Sequence, residues 1–499
     1  MQDMIHIEKI DRLAVSVILF LSIIIAILIW GGNNCTGSLC IVSTKPEIKE
    51  FSWQDERVGV EDKAFILTFD RPMNHLSVEK NLVINPPLPG KTSWAGRRLA
   101  YTLTNPIPYG ETYEVQLESA KEQFRGNKDK GEDIKPFVSQ FKSRDRAFAY
   151  IGTEKGEEGQ LIIYNLTRKQ KSILTPPQLV VMEFEFYPHG DKILFSATEK
   201  SKGVDAIREL QLYEVATGLN DDTKGSVSPQ IKLVLDNIDY QNNGFDLSGD
   251  GDSIVVQRIN RKNPADFDLW LVKSGQPPEK LNTQGGEFKI APDGKTLAVA
   301  QGEGISLLPL KKDAKPLDFL PKFGRVLSFS NDGSAAVMVN FNTDNAKLRY
   351  TRSLVYVNNR GLQKTLLNIQ GSILDCHFSP NQTDLYCLLT QLIPGDQYVE
   401  KPYFAKIDIN TSQVTPLLEL PDYRDIKISL SPDGLAIIFD QVLTNPNGSP
   451  SDTLTTDSGE TIASGRLWML IPPLKGNSKV AKADLEELPL AGVRPQWSP

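Results

Sequence analysis

The sequence predicts an all-β chain held to a membrane by one N-terminal helix, with a β-sandwich followed by a β-propeller. Three observations predict it. An apolar run spans Leu13–Trp30, about seven short alternating strands fill residues 45–143, and one strand–turn–strand pattern recurs from residue 145 onward. The pattern is clearest at Ile428–Phe439, where apolar alternation runs into Ser431-Pro432-Asp433-Gly434 and resumes beyond it. Proline presets φ for the second turn position, aspartate bonds its own backbone, and glycine supplies the positive φ that turns the strand back.

With 499 residues, 40% of them hydrophobic, the chain can bury more than one core. A net charge of −7 leaves no basic excess to draw the chain to nucleic acid, so no nucleic-acid partner is expected. Four cysteines in two close pairs, Cys35–Cys40 and Cys376–Cys387, are too few for a disulfide scaffold and suit a chain whose core suffices.

Residues 13–30 are about the minimum length for a membrane-spanning helix, and Trp30 ends the run where an aromatic sits among headgroups. The run is long for a signal peptide, and no A-x-A-like cleavage site follows it. Lys9 and Arg12 precede the span, and the next cations are Lys45 and Lys49. This bias predicts a cytoplasmic tail (1–12), a single pass through the inner (plasma) membrane, a linker (31–44) and an extracytoplasmic, periplasmic body. Cys35 and Cys40 then face an oxidising space, where closing a small loop, linking two chains and staying as thiols are all open.

Residues 45–143 read as a sandwich. Ala64–Asp70, Leu82–Ile84, Lys91–Trp94, Leu99–Leu103, Tyr113–Leu117 and Phe137–Phe141 alternate between turn residues at β-sandwich spacing. Phe69-Asp-Arg-Pro-Met73, Trp94 and the Tyr109–Tyr113 turn resemble the bacterial Ig-like domains of the SbsA type. That resemblance implies a spacer or adhesive unit and no chemistry.

From residue 145 the hairpin recurs with anchors at Tyr187, Ser248, Ala291, Ser330, Ser379 and Ser431. The anchors lie roughly 40 to 60 residues apart, the size of a four-stranded propeller blade. Pro495-Gln-Trp-Ser-Pro499 has the start of the hairpin without its return, and Ala147–Ile151 supplies the return. The last strand should therefore pair with the first blade and leave no open edge. With Ser498 as the anchor of that incomplete hairpin, seven anchors predict seven blades, with six or eight as alternatives. The links after each second strand vary most and share one face with the connections between blades, which makes that face the expected binding surface.

In register, the Phe, Ser-Pro and Asp-Gly positions of these hairpins resemble TolB-like and other WD40-like propellers over residues 145–499. The resemblance implies a protein-binding platform in exported bacterial proteins and, in some relatives, a propeller gating a hydrolase domain. The chain departs from that second group, since no catalytic domain follows the last repeat.

No G-x-S-x-G elbow occurs, and the Gly-Lys-Thr tripeptides at Gly90 and Gly294 lack the earlier glycine of a phosphate loop. His6, His75, His189 and His377 are scattered over different elements, and Asp246, Asp250 and Asp252 miss calcium-loop spacing because Ile254 stands where an oxygen ligand should follow. No metal, cofactor or catalytic residue is expected. Contact candidates on the loop-rich face are Arg258, Arg261, Asp266 and Asp268, then Arg349, Tyr350 and Arg352, then Tyr398 and Tyr403, because arginine and tyrosine dominate hot spots. The leading expectation is a membrane-anchored, non-catalytic interaction protein with a protein partner at the propeller face. A glycan lyase or hydrolase with an axial site and a structural envelope component are its rivals.

Overall fold

The computed structural model describes residues 21–22, 45–123, 131–219, 230–348, 350–395, 397–421, 425–445, 454–456, 459–473 and 483–499. The expected span at 13–30, apart from Leu21 and Ser22, and the Cys35–Cys40 pair lie outside these residues. Among the described residues no helix is long and apolar enough to cross a membrane. Packing divides the chain into two units. The first comprises the described parts of Met1–Asp55, Ala64–Asn105 and Tyr113–Phe141, and the second Glu56–Lys63, Pro106–Thr112 and the described part of Lys142–Pro499.

The first unit is built on alternation. In Ala64–Phe69 the side chains of Phe65, Leu67 and Phe69 are buried, as are Tyr113, Val115 and Leu117 in Thr112–Leu117. These strands belong to two different four-stranded sheets. Between them Phe51, Trp53, Phe65 and Phe141 meet edge-on, with Trp53 5.0 Å from Phe141 and 5.4 Å from Phe65. Such pairs add about 0.5–1.5 kcal/mol each beyond the area they bury. The sequence reading has no helix here, yet His75–Asn81 is helical. Asn74 caps it by accepting the Ser77 N–H at 3.0 Å, a local bond that outweighs the strand pattern around it.

Among the described residues, the second unit contains five four-stranded sheets, each made from four consecutive antiparallel strands, and one seven-stranded sheet. The first strands of the five are Leu179–Phe186, Tyr240–Leu247, Phe288–Ile290, Phe323–Phe329 and Ile373–Phe378. Each is followed by a hairpin, and where the anchor is serine the turn chemistry repeats. At Ser248, Ser330, Ser379 and Ser431 the hydroxyl donates to the Asp or Asn two residues on. It also accepts the backbone N–H five residues on, at 2.9–3.0 Å. The serine thus locks the turn and fixes the register of the returning strand.

The hairpins also touch one another in sequence order. A Cβ at Gly434, where φ is +71°, would lie 2.6 Å from Cδ of Pro380 in the preceding hairpin. At Gly190 it would lie 2.6 Å from Oγ of Ser498, so the last hairpin start abuts the first complete one. The seven-stranded sheet makes the same join. Its long strand Asp484–Trp497 pairs through its first half with Ile462–Ile471 and through its second half with Ala147–Gly152. Val493 lies opposite Ile151 and Trp497 opposite Phe148, and the Ser498 N–H donates to Ala147 O at 2.9 Å. The expected pairing of the last strand with the strand at Phe148 is therefore present, and the sheets are those of an all-β, propeller-type assembly.

Candidate functional site

The first strands of the sheets line a common cavity of about 660 Å³, continued by a second of about 610 Å³. The two share Glu183, Glu185, Gly244, Phe245, Asp375 and Lys427. The repeat explains which residues face it. Two positions before each hairpin anchor stand Glu185, Asp246, Lys289, Ser328, His377, Ser429 and Gln496, and four positions before stand Glu183, Gly244, Glu287, Val326, Asp375, Lys427 and Arg494. Most of these line the cavities, as the period-2 alternation of a strand requires. Register shifts recur just before them, at Val181/Glu183, Asn242/Gly244, Phe323/Arg325 and Ile373/Asp375. Such bulges re-aim side chains where a strand would otherwise carry them away.

The carboxylates tie neighbouring sheets together. Glu185 accepts the Leu247 N–H at 2.8 Å, and Asp246 accepts the Ile290 N–H at 2.5 Å. Burial, then the charge of Asp246, pushes the Glu185 carboxyl well above the usual range; burial also raises Asp246. The Lys289 ammonium lies 3.9 Å from Asp246, and attraction to Asp246, Glu185, Asp375 and Glu183 holds it as a firm cation despite desolvation. Its side chain is 41% exposed, and that exposure is to the cavity it lines. Across the cavity His377 Nε2 meets Asp375 at 3.1 Å. Burial opposes both charges there, but their mutual attraction wins, lowering Asp375 and raising His377.

The residues expected on the loop-rich face divide sharply. Arg258 and Asp268 are corrections, since both are buried. Arg258 lies between the rings of Tyr240 and Trp270, 5.0 and 5.1 Å from their centroids, and donates to Asn242 Oδ1 at 3.0 Å. Asp268 accepts the Leu269 and Thr283 N–H groups at 2.8 and 2.6 Å. Arg261 makes a forked pair with Glu209, at 2.9 and 3.1 Å, that fastens the 3-10 helix Lys200–Glu209 in the link after the strand Lys192–Glu199. Asp266 is held by Lys280 at 2.6 Å. Tyr403 is half-buried inside the strand Val399–Asp408, because pairing with Asp384–Ile393 continues to Ile393–Val399 and shortens the expected link. Arg349 lies outside the described residues. Tyr350 and Tyr398 are 81% and 78% exposed, and Arg352 lies 5.0 Å from the centroid of the partly exposed Phe341 ring.

Cys376 and Cys387 lie opposite each other in register and form a disulfide. Among the described residues no group of three His, Cys, Asp or Glu side chains is placed to hold a metal ion. The axial residues are what the sequence reading missed. Aligning the repeats on their anchors and reading two and four places back would have found them.

No family model matches the chain, and no curated protein does. Among solved structures the chain is similar to TolB from Acinetobacter baumannii, with 12% identity, TM-score 0.38, and 84% of this chain and 83% of that one covered. It is also similar to an oligogalacturonate lyase in complex with manganese (12%, TM-score 0.43, 56% and 79% covered) and to a prolyl endopeptidase (10%, 0.43, 78% and 50%). At such scores these likenesses carry no argument about chemistry, and the fold rests on the sheets themselves.

Proposed function

We propose that this chain is a membrane-anchored, extracytoplasmic, non-catalytic binding protein. In this reading residues 13–30 anchor it in the inner membrane, residues 45–143 are an Ig-like spacer, and residues 145–499 form a TolB-like propeller head. The head has seven blades, the seven-stranded sheet counting as the last blade and the first joined through Asp484–Trp497. The observation that carries the reading is the exposure of Tyr350 and Tyr398 on the links after the second strands of two successive sheets. Large aromatics left in water on a rigid scaffold supply contact area at low entropic cost. Recovery of crosslinked partners from intact cells, with the full chain and with a chain lacking 145–499, tests it. Partners should vanish with the head, and recovery of the same partners without it would refute the reading.

A second reading, an enzyme acting on glycans at the axis, is favoured by Glu185, Asp246 and Asp375 sharing one concave cavity. Turnover of oligosaccharides abolished by Asp375→Asn would support it over the first.

A further inference from the structure

The second axial cavity, of about 610 Å³, has a size usual for small-molecule sites, and the binding-head reading does not use it. Its charged groups are already answered. His377 pairs with Asp375 at 3.1 Å, and Glu185, pushed toward its neutral form by burial, accepts the Leu247 N–H at 2.8 Å. Glu183 faces the charge of Lys289, Lys427 faces that of Asp440, and the Arg494 guanidinium donates to Met182 O. The uncharged groups of the wall are not answered. Ser196 is 5% exposed, and its hydroxyl has no hydrogen-bond partner among the described residues. The Gln496 side chain has none among them either, and its Oε1 is buried. Ser429 Oγ accepts the Trp497 N–H at 3.0 Å, which leaves its own O–H to donate. These three groups lie on one arc. The Trp497 N–H joins Ser429 to the strand of Gln496, and the Arg494 bond to Met182 joins that strand to the one paired with Ser196. Polar groups enclosed without partners are rare, so two on one arc need a reason.

From this we infer that the second axial cavity is a binding site for an uncharged sugar, a neutral hexopyranose. A sugar hydroxyl both donates and accepts, so it serves the Gln496 oxygen as donor, the Ser429 O–H as acceptor and Ser196 as either. The C–H faces of the ring suit Ile207, Leu210 and Phe245, which stand in the same wall. A wholly apolar ligand would leave Ser196 and Gln496 unpartnered. A charged ligand would lose its hydration in a cavity whose own charges are taken, and would gain no counter-charge there. Binding of a single ring involves no bond cleavage, so the inference goes beyond both readings above.

Calorimetric titration of the purified full-length chain with glucose, galactose and mannose tests the inference, with glucuronate, glucosamine and 1-hexanol as comparators. At least one of the neutral sugars should bind at millimolar concentration. It should bind at least about tenfold more tightly than the charged sugars and the alcohol, which lose hydration or leave the arc unpartnered. Ser196→Ala and, independently, Gln496→Met should each weaken that sugar severalfold. Neither side chain bonds to the fold, so both variants should keep the far-UV spectrum and unfolding midpoint of the wild type. No binding by any of the three sugars at about 10 mM, equal affinity for a charged comparator, or undiminished binding by both variants would overturn the inference. Monosaccharides have no glycosidic bond to cleave, so the outcome is independent of oligosaccharide turnover and of partner recovery, which reads the loop face.

Discussion

Replacing Trp497 by alanine is the most direct test of the join between the last strand and the first. Trp497 is 5% exposed and packs with Phe148, Tyr150, Ile162, Ile438 and Leu467. Its ring meets Phe148 edge-on at 5.6 Å, and the Arg146 guanidinium sits 5.1 Å above it. Its indole N–H has no partner, so truncation removes packing and the cation–π contact but no side-chain hydrogen bond. Large aromatic-to-alanine changes in cores cost about 3–5 kcal/mol, and loss of the cation–π contact adds about 0.5–1 kcal/mol. Against a total stability of roughly 5–15 kcal/mol, that is a large fraction. Urea denaturation followed by circular dichroism should show a clearly lowered midpoint for Trp497→Ala and about a third of that effect for Trp497→Phe. If Trp497→Ala stays within about 0.5 kcal/mol of wild type, as exposed sites do, Trp497 is not buried against Phe148 and the reasoning fails.

Other outcomes follow from single residues. Asp440 accepts the Lys427 and Arg494 N–H groups, each at 2.7 Å, and burial pushes its carboxyl up to about 6. The folded form keeps a proton that the unfolded form has lost, so this site's contribution to stability falls as pH rises from the ordinary aspartate value toward 6. The deficit of Asp440→Asn relative to wild type should therefore narrow by about 3 kcal/mol between acidic and neutral pH, read as the pH dependence of the two denaturation midpoints. A constant gap would count against a buried, protonated Asp440. Gly434→Ala forces a side chain into positive φ and against Pro380, and its melting temperature should fall by an amount equivalent to about 1–3 kcal/mol. Gly361→Ala, also at positive φ but with open space around it, should cost less. Reducing the Cys376–Cys387 bridge, which closes a short loop, should lower the melting temperature by the equivalent of about 2–3 kcal/mol, and a Cys376→Ala/Cys387→Ala chain should then be insensitive to reductant. Tyr350→Ala and Tyr398→Ala should leave the melting temperature unchanged and reduce partner recovery.

The hairpins were legible because their physics is local. At 248–251, 330–333 and 431–434 a serine, an aspartate and a glycine within four residues carry the whole turn, and the remaining copies keep enough of the pattern to be aligned on them. The join at Trp497 was legible for the same reason, since half a hairpin at one end and half at the other imply one complete hairpin. Arg258 was misread because the rings that enclose it, Tyr240 and Trp270, belong to neighbouring strands and reach it only through pairing. Tyr403 was misread because pairing continued past the point where the apolar alternation faded. The cavity-lining positions were written in the repeat, but bulges before Glu183, Gly244 and Asp375 shift the alternation by one, so counting faces along each strand alone does not reach the cavity. The helix at His75 was signalled only by Asn74, a residue equally at home in a turn.

Ala149 and Gln496 are opposite each other in the paired strands, close enough for a disulfide between substituted cysteines. Oxidising an Ala149→Cys/Gln496→Cys chain and mapping its crosslinks by mass spectrometry is the measurement that bears most directly on the closed arrangement and on the cavity within it. Closure predicts an intramolecular bridge in monomeric protein, with a raised unfolding midpoint. Free thiols at both positions, or bridges formed only between chains, would contradict it.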